Sequence, residues 1–179
     1  MTALTLTQIG RDRPGLVRAL SERIAASGGN WLESRMARLA GQFAGVLLVE
    51  VPEPEADRLA EALRALGAEG LRVTVERGVG EAVPAQAAAP RHAFTLELVG
   101  QDRPGIVREV AQALAARGVN IEELTTEVAT ASFSGERLFR ATARLRAPAD
   151  AATGDLREAL EALAHELMVD IDLEEAGVG

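Results

Sequence analysis

The sequence predicts an α+β chain made of two copies of one small domain, each a four-stranded antiparallel sheet with helices on one face. Three observations predict it. The run Gly10-Arg11-Asp12-Arg13-Pro14-Gly15-Leu16-Val17-Arg18 returns 90 positions later as Gly100-Gln101-Asp102-Arg103-Pro104-Gly105-Ile106-Val107-Arg108. The register holds beyond that run, with Ile24 answered by Leu114, Gly28 by Gly118 and Asn30 by Asn120, and a fixed internal period sets the architecture before any chemistry is read. Within each copy, stretches of strand and helix periodicity follow in the order β-α-β-β-α-β, the split βαβ or ferredoxin-like order. Between the copies, residues 79–91 lack apolar periodicity and are bounded by glycine and proline, as a linker is. The expected layout is a domain over 1–78, a linker over 79–91, a second domain over 92–174 and a tail over 175–179.

Residues 3–9 alternate and form the first strand. After the Asp-Arg-Pro-Gly turn, Leu16, Val17, Leu20, Ile24 and Ala25 recur at helical spacing. Pro14 suits a first helical turn, where the amide it lacks has no partner, and Asp12 is expected to cap that turn. Gly28-Gly29 ends the helix. Residues 30–40 and 42–51 form a hairpin reversing at Ala40-Gly41. Pro52-Glu53-Pro54-Glu55 breaks the strand and opens a helix carrying Leu59, Leu63 and Leu66 on one face, closed by Gly67, before a last strand with Leu71, Val73 and Val75. The second copy repeats this: strand 92–99, helix 104–117, hairpin 120–130 and 136–146, helix 153–167, strand 168–173.

Two strands carry more than the repeat. In 42–51, Val46 and Leu48 point away from Phe43, Leu47 and Val49. Both faces are then apolar, and the face without helices predicts a partner sheet. In 136–146, Leu138, Arg140, Thr142, Arg144 and Arg146 alternate with Arg137, Phe139, Ala141, Ala143 and Leu145; that arginine face is expected to make ordinary surface pairs with nearby carboxylates.

Composition excludes several classes of function. The 179 residues contain no cysteine, so disulfides, thiolate metal sites and cysteine nucleophiles are absent and a cytoplasmic setting is expected. No leader pattern opens the chain and no run approaches the roughly 18 apolar residues of a membrane helix, which predicts a protein without membrane contact. All 19 basic residues are arginine, which beside so much alanine reads as composition bias. Residues 1–78 balance ten arginines against ten acids, whereas residues 91–179 carry nine against sixteen. A chain of net charge −8 without basic blocks is a poor polyanion binder, so direct nucleic-acid binding is not expected. A unit this small buries only about 60% of its unfolded surface, which favours a homo-oligomer or a tight pseudo-dimer.

The repeated turn carries the chemistry. A glycine-containing turn from a strand into a helix N-terminus presents free amides and the positive end of the helix dipole to a carboxylate. Gly15 and Gly105 remove the Cβ that would keep a ligand from the backbone, and Asp12 and Asp102 offer an acceptor for an ammonium group. An α-amino acid carries both groups. Asn30 and Asn120, opening the strand after the helix, can donate and accept. Each Asp also reads as a simple cap and each Asn as a simple turn residue.

The order βαββαβ, with Asp-Arg-Pro-Gly at the first strand-to-helix turn and Gly-x-Asn opening the second strand, resembles the ACT domain, a regulatory module that binds amino acids at domain interfaces. The resemblance covers both copies. Two such units with little else resemble the glycine cleavage system transcriptional repressor group in particular. That resemblance implies a cytoplasmic, non-enzymatic regulator without a DNA-binding domain, acting on a LysR-type transcription factor and responding to glycine. It places ligand contacts at Asp12, Pro14, Gly15, Leu16, Asn30 and Trp31, and at Asp102, Pro104, Gly105, Ile106, Asn120 and Ile121. Serine-sensing members carry a histidine two residues before the polar turn position, where this chain has Gly10 and Gly100, and an asparagine where it has Asp12 and Asp102; serine is not the implied ligand. Trp31 against Ile121 makes the copies unequal.

No nucleophile elbow, P-loop or dinucleotide fingerprint is present. His92 and His165 stand a domain apart without a matching carboxylate cluster, so no metal, cofactor or catalytic role is expected of them. Three other readings stay open: an accessory subunit of an amino-acid-metabolising enzyme, an enzyme on a ferredoxin-like fold, and a ligand-free oligomerisation scaffold.

Overall fold

Strand β1 (Thr2–Arg11) alternates buried Leu4, Leu6 and Gln8 with exposed or half-buried neighbours, and so lays one face on a core. The computed structural model describes residues 1–78, 91–130 and 135–175; residues 79–90 of the expected linker and 176–179 of the expected tail lie outside the described residues. The chain divides into two units, Met1–Ala85 and Gln86–Gly179.

In unit 1 the helix α1 (Leu16–Ala26) is followed by β2 (Asn30–Leu39), β3 (Gln42–Val51), α2 (Ala56–Arg64) and β4 (Leu71–Arg77). The sheet order is β2-β3-β1-β4, antiparallel throughout. Unit 2 repeats it with β5 (Arg91–Gln101), α3 (Ile106–Ala115), β6 (Asn120–Thr130), β7 (Arg137–Pro148), α4 (Thr153–Leu167) and β8 (Val169–Glu175), ordered β6-β7-β5-β8. These are two ferredoxin-like α+β domains. The unit 1 core gathers Leu4, Leu6, Leu47, Val49 and Leu71 from the sheet with Leu16, Leu20, Ile24, Leu59 and Leu63 from the helices. Each such leucine, fully buried, contributes on the order of 1.5–3 kcal/mol.

Local chemistry explains the joints. Helix α1 ends where Gly28 enters the left-handed region (φ 65°), and the amides of Gly28 and Gly29 return to the carbonyls of Ala25 and Ile24 at 2.9 Å each. In unit 2, Gly118 (φ 67°) and Val119 do the same to Ala115 and Leu114 at 3.0 and 3.1 Å. This is the paired hydrogen bonding of a Schellman ending, and Val119 and Leu114 share the core as that motif favours. The first hairpin reverses through Ala40 (φ 48°) and Gly41 (φ 76°), the two positive φ values that match strand twist.

Three expectations need correction. Asp12 does not cap α1: the N-cap position is Gly15, without a side-chain cap bond, and Pro14 stands before the helix rather than in its first turn. Asp102 is likewise not the cap of α3, which starts at Ile106 after Gly105. The second helix of unit 1 does not stop at Gly67; it tightens into a 3-10 segment, Ala65–Glu69, that buries Leu66 and ends at Gly70 (φ 85°).

Candidate functional site

The β1–α1 turn is tied to the tip of the neighbouring hairpin. The Asp12 amide donates to the Gly41 carbonyl at 2.9 Å, and the Arg38 guanidinium reaches the Asp12 carboxylate at 2.7 Å. In unit 2 the Asp102 amide donates to the Arg137 carbonyl at 2.9 Å, and the Arg137 side chain meets the Asp102 carboxylate at 3.0 Å. Each aspartate anchors its turn through an arginine of its own unit. Pro14 and Gly15 are exposed beside it, while Leu16 and Ile106 are core residues, buried to within 3%. Only their backbone amides can face a ligand.

The register separates the remaining candidates from the turn. Strands β1 and β2 both run antiparallel to β3, so they run parallel to each other. Asn30 is level with Glu50 and Ala3, whereas Arg38 is level with Phe43 and Gly10, next to the turn. From the Ala3 row to Asp12, at about 3.3 Å per residue, the distance is roughly 30 Å. Asn120, level with Arg146 and Ala93, lies equally far from Asp102. A single amino acid cannot touch the turn and the asparagine of one unit. Trp31 packs against the core, its indole N–H directed at the Ser34 hydroxyl at 3.4 Å, and Ile121 lines an apolar cavity with Leu98, Ile106 and Phe139.

The two turns differ in a way the repeat hides. In unit 1 the turn borders a surface groove of about 500 Å³ lined by Arg13, Gly15, Arg18, Glu22, Arg23 and Glu69. Arg13 donates to the Glu69 carbonyl at 2.8 Å, Arg23 meets the Glu69 carboxylate at 2.7 Å, and Arg18 pairs with Glu22 at 3.2 Å. No acidic residue occupies the first turn of α1, and a Cβ built on Gly15 would meet nothing within 4 Å. In unit 2 the position of Ala19 is taken by Glu109, in the first turn of α3. Its carboxylate lies over Gly105, 3.3 Å from where a Cβ would stand, and within 3.5 Å of Arg108 and 4.0 Å of Arg103. The helix dipole that could hold a free carboxylate already holds one from its own chain.

Sequence reasoning missed the groove because Glu69 comes to the turn from a distant segment. The Ala19/Glu109 difference was readable and is the signal that separates the copies. Glu122 and Glu123 lie at the start of β6, far from the second turn. They pair with Arg146 at 2.8 Å and Arg144 at 3.4 Å, the surface pairs expected of the arginine face. Glu122 also holds the Arg146 guanidinium above its usual pKa, by hydrogen bonding first and by charge second. Among the described residues no three His, Asp or Glu side chains gather as metal ligands, and no helix is long and apolar enough to cross a membrane.

Residues 2–76 match the ACT_6 family model and residues 94–164 the ACT model, both described as the ACT domain. Over 92% of this chain and 85% of the relative, the sequence is 24% identical to the glycine cleavage system transcriptional repressor of Escherichia coli (strain K12). A crystal structure of a protein of unknown function from Galdieria sulphuraria shares 31% identity and a TM-score of 0.84, covering 98% of this chain and 99% of that one. A crystal structure of a putative glycine cleavage system transcriptional repressor shares the fold at 20% identity and a TM-score of 0.72, covering 99% and 98% of the two chains.

Proposed function

Because the chain belongs to the ACT domain family, with two ACT domains in tandem, we propose that it is a cytoplasmic amino-acid-sensing regulator of glycine cleavage that acts through a protein partner. The observation that carries this reading is similarity to a transcriptional repressor across nearly the whole of both chains. The partner that the resemblance implies is a LysR-type transcription factor, and a chain of net charge −8 is itself ill suited to DNA.

The unit 1 turn is the working site. The free amides that open α1 and the arginines of the groove suit the carboxylate of a small amino acid such as glycine, and Glu22 and Glu69 suit its ammonium group. Asn30 and Asn120 serve such a ligand only when contributed by an ACT unit other than the one whose turn holds it. The ligand acts by binding one arrangement of the regulator better than another.

The test is a thermal-shift panel of the twenty amino acids at millimolar concentration on the whole chain. A ligand at 100 times its dissociation constant stabilises the fold by about 2.7 kcal/mol. Glycine or another small amino acid should raise the melting temperature, and Ala19→Glu, which copies the unit 2 arrangement, should abolish the rise while Asp102→Ala leaves it. No rise with any amino acid would overturn the sensing reading.

A further inference from the structure

The outer faces of the two sheets, turned away from the helices, have diverged although the units are copies. In unit 2 that face is charged through its centre: Arg140 and Arg144 on β7 stand level with Glu127 and Glu123 on β6, and Glu97 on β5 is level with Asp172 on β8. In unit 1 the middle three rows of the two central strands present Thr5, Thr7 and Ile9 beside Leu48, Val46 and Ala44, without a charge, and the charged Glu50 and Arg11 stand only at the two ends of that face. Val46 is 47% exposed and Ile9 43%.

We propose that this unit 1 face is the interface of a homodimer, covered by the same face of a second copy of the chain with the strands of the two copies antiparallel. Three rows cross the face. Glu33, Leu48, Thr5 and Glu76 form the first; Arg35, Val46, Thr7 and Thr74 the second; Ala37, Ala44, Ile9 and Arg72 the third. A two-fold axis along the second row lays the first row of one copy on the third row of the other. Leu48 then meets Ala44 and Ile9 meets Thr5, large side chains over small ones, which is how two stacked sheets interdigitate. The same axis sets Arg72 against Glu76 of the second copy, twice. Neither residue pairs with a charged side chain among the described residues of its own chain. Arg35, on the axis, is neutralised by Glu33 at 3.1 Å.

The size fits as well. Strands of ten residues at about 3.4 Å each, four abreast at about 4.8 Å, give a face on the order of 600 Å² per copy. Two copies bury roughly 1,200 Å², within reach of a stable dimer. The charged unit 2 face offers no such match, because stacking it on itself buries carboxylates and guanidiniums in its middle.

The experiment measures the mass of the full chain in solution by light scattering across a concentration series, with circular dichroism confirming the fold of each variant. The wild type is expected at twice the chain mass, and Val46→Arg, which puts two arginines on the axis, at the chain mass. Val99→Arg, the unit 2 residue that corresponds to Ile9, is expected to stay dimeric. Arg72→Glu should weaken the dimer by about tenfold or more, and Arg72→Glu with Glu76→Arg should restore it, as cross-copy charge pairs do. A monomeric wild type overturns the proposal, as does a dimer that survives Val46→Arg or an Arg72→Glu defect that the double exchange does not repair. None of these readouts depends on amino-acid binding.

Discussion

Gln8 is the place where unit 1 departs furthest from good packing. Its side chain is 1% exposed, and neither its amide nitrogen nor its carbonyl oxygen has a hydrogen-bond partner. It stands level with Gly45 on β3 and Val73 on β4, neither of which carries a polar side chain. The corresponding residue of unit 2 is Leu98, equally buried. A buried, unpaired polar group costs about 1–3 kcal/mol. Gln8→Met removes that group while keeping an unbranched chain of nearly the same length, so the gain should approach roughly 2 kcal/mol with little strain. For a domain of 60–100 residues each kcal/mol moves the midpoint by about 4–8 °C, so unit 1 should melt roughly 8–16 °C higher. Differential scanning calorimetry reads this directly, and the reciprocal Leu98→Gln should lower the unit 2 transition by a similar or larger amount. A Gln8→Met chain no more stable than the wild type would refute the reasoning, since it would mean that the carboxamide has its partners.

Other outcomes follow from the same packing. Gly100→Ala should destabilise unit 2 by on the order of 1–3 kcal/mol in urea unfolding, because the new methyl runs into the Val169 side chain. Gly45→Ala should cost at least as much and loosen the β2–β3 pairing, visible as faster amide exchange in β2, since its methyl meets the Arg35 carbonyl and the backbone of Met36. Asp12→Ala should cost less than about 1 kcal/mol, because it removes an exposed pair with Arg38 and no helix cap. Glu109→Ala should create a second amino-acid response, read as two equivalents per chain by calorimetric titration instead of one.

Much of the fold was legible because local signals and tertiary demands agree. The helix over 153–167 is bounded in the structure as its periodicity requires, and the reversal falls at Ala40-Gly41, where Gly41 adopts a left-handed conformation it favours and Ala40 one that an L side chain rarely takes. Gly67 misled because the chain passes it in a 3-10 segment and reaches its left-handed ending only at Gly70, a second glycine three residues on. The candidate site was half legible. The turn is where the motif places it, yet Asn30 sits at the far end of the sheet, since an offset along the sequence does not reveal that β1 and β2 run parallel. Asp12 and Asp102 pair with arginines that only the folded hairpins deliver.

Glu109 adds a consequence in terms of concentration. A carboxylate tethered within one helical turn of its docking point behaves as a reagent at an effective concentration in the millimolar range or above. If the turns take an amino acid as proposed, it would have to exceed that level to displace the tether, so the second turn is expected to stay silent over the range in which the first one fills. On the proposed function, duplication would leave a responsive copy and an internally blanked copy of the same turn, separated by a single carboxylate at position 109 in place of the methyl at position 19.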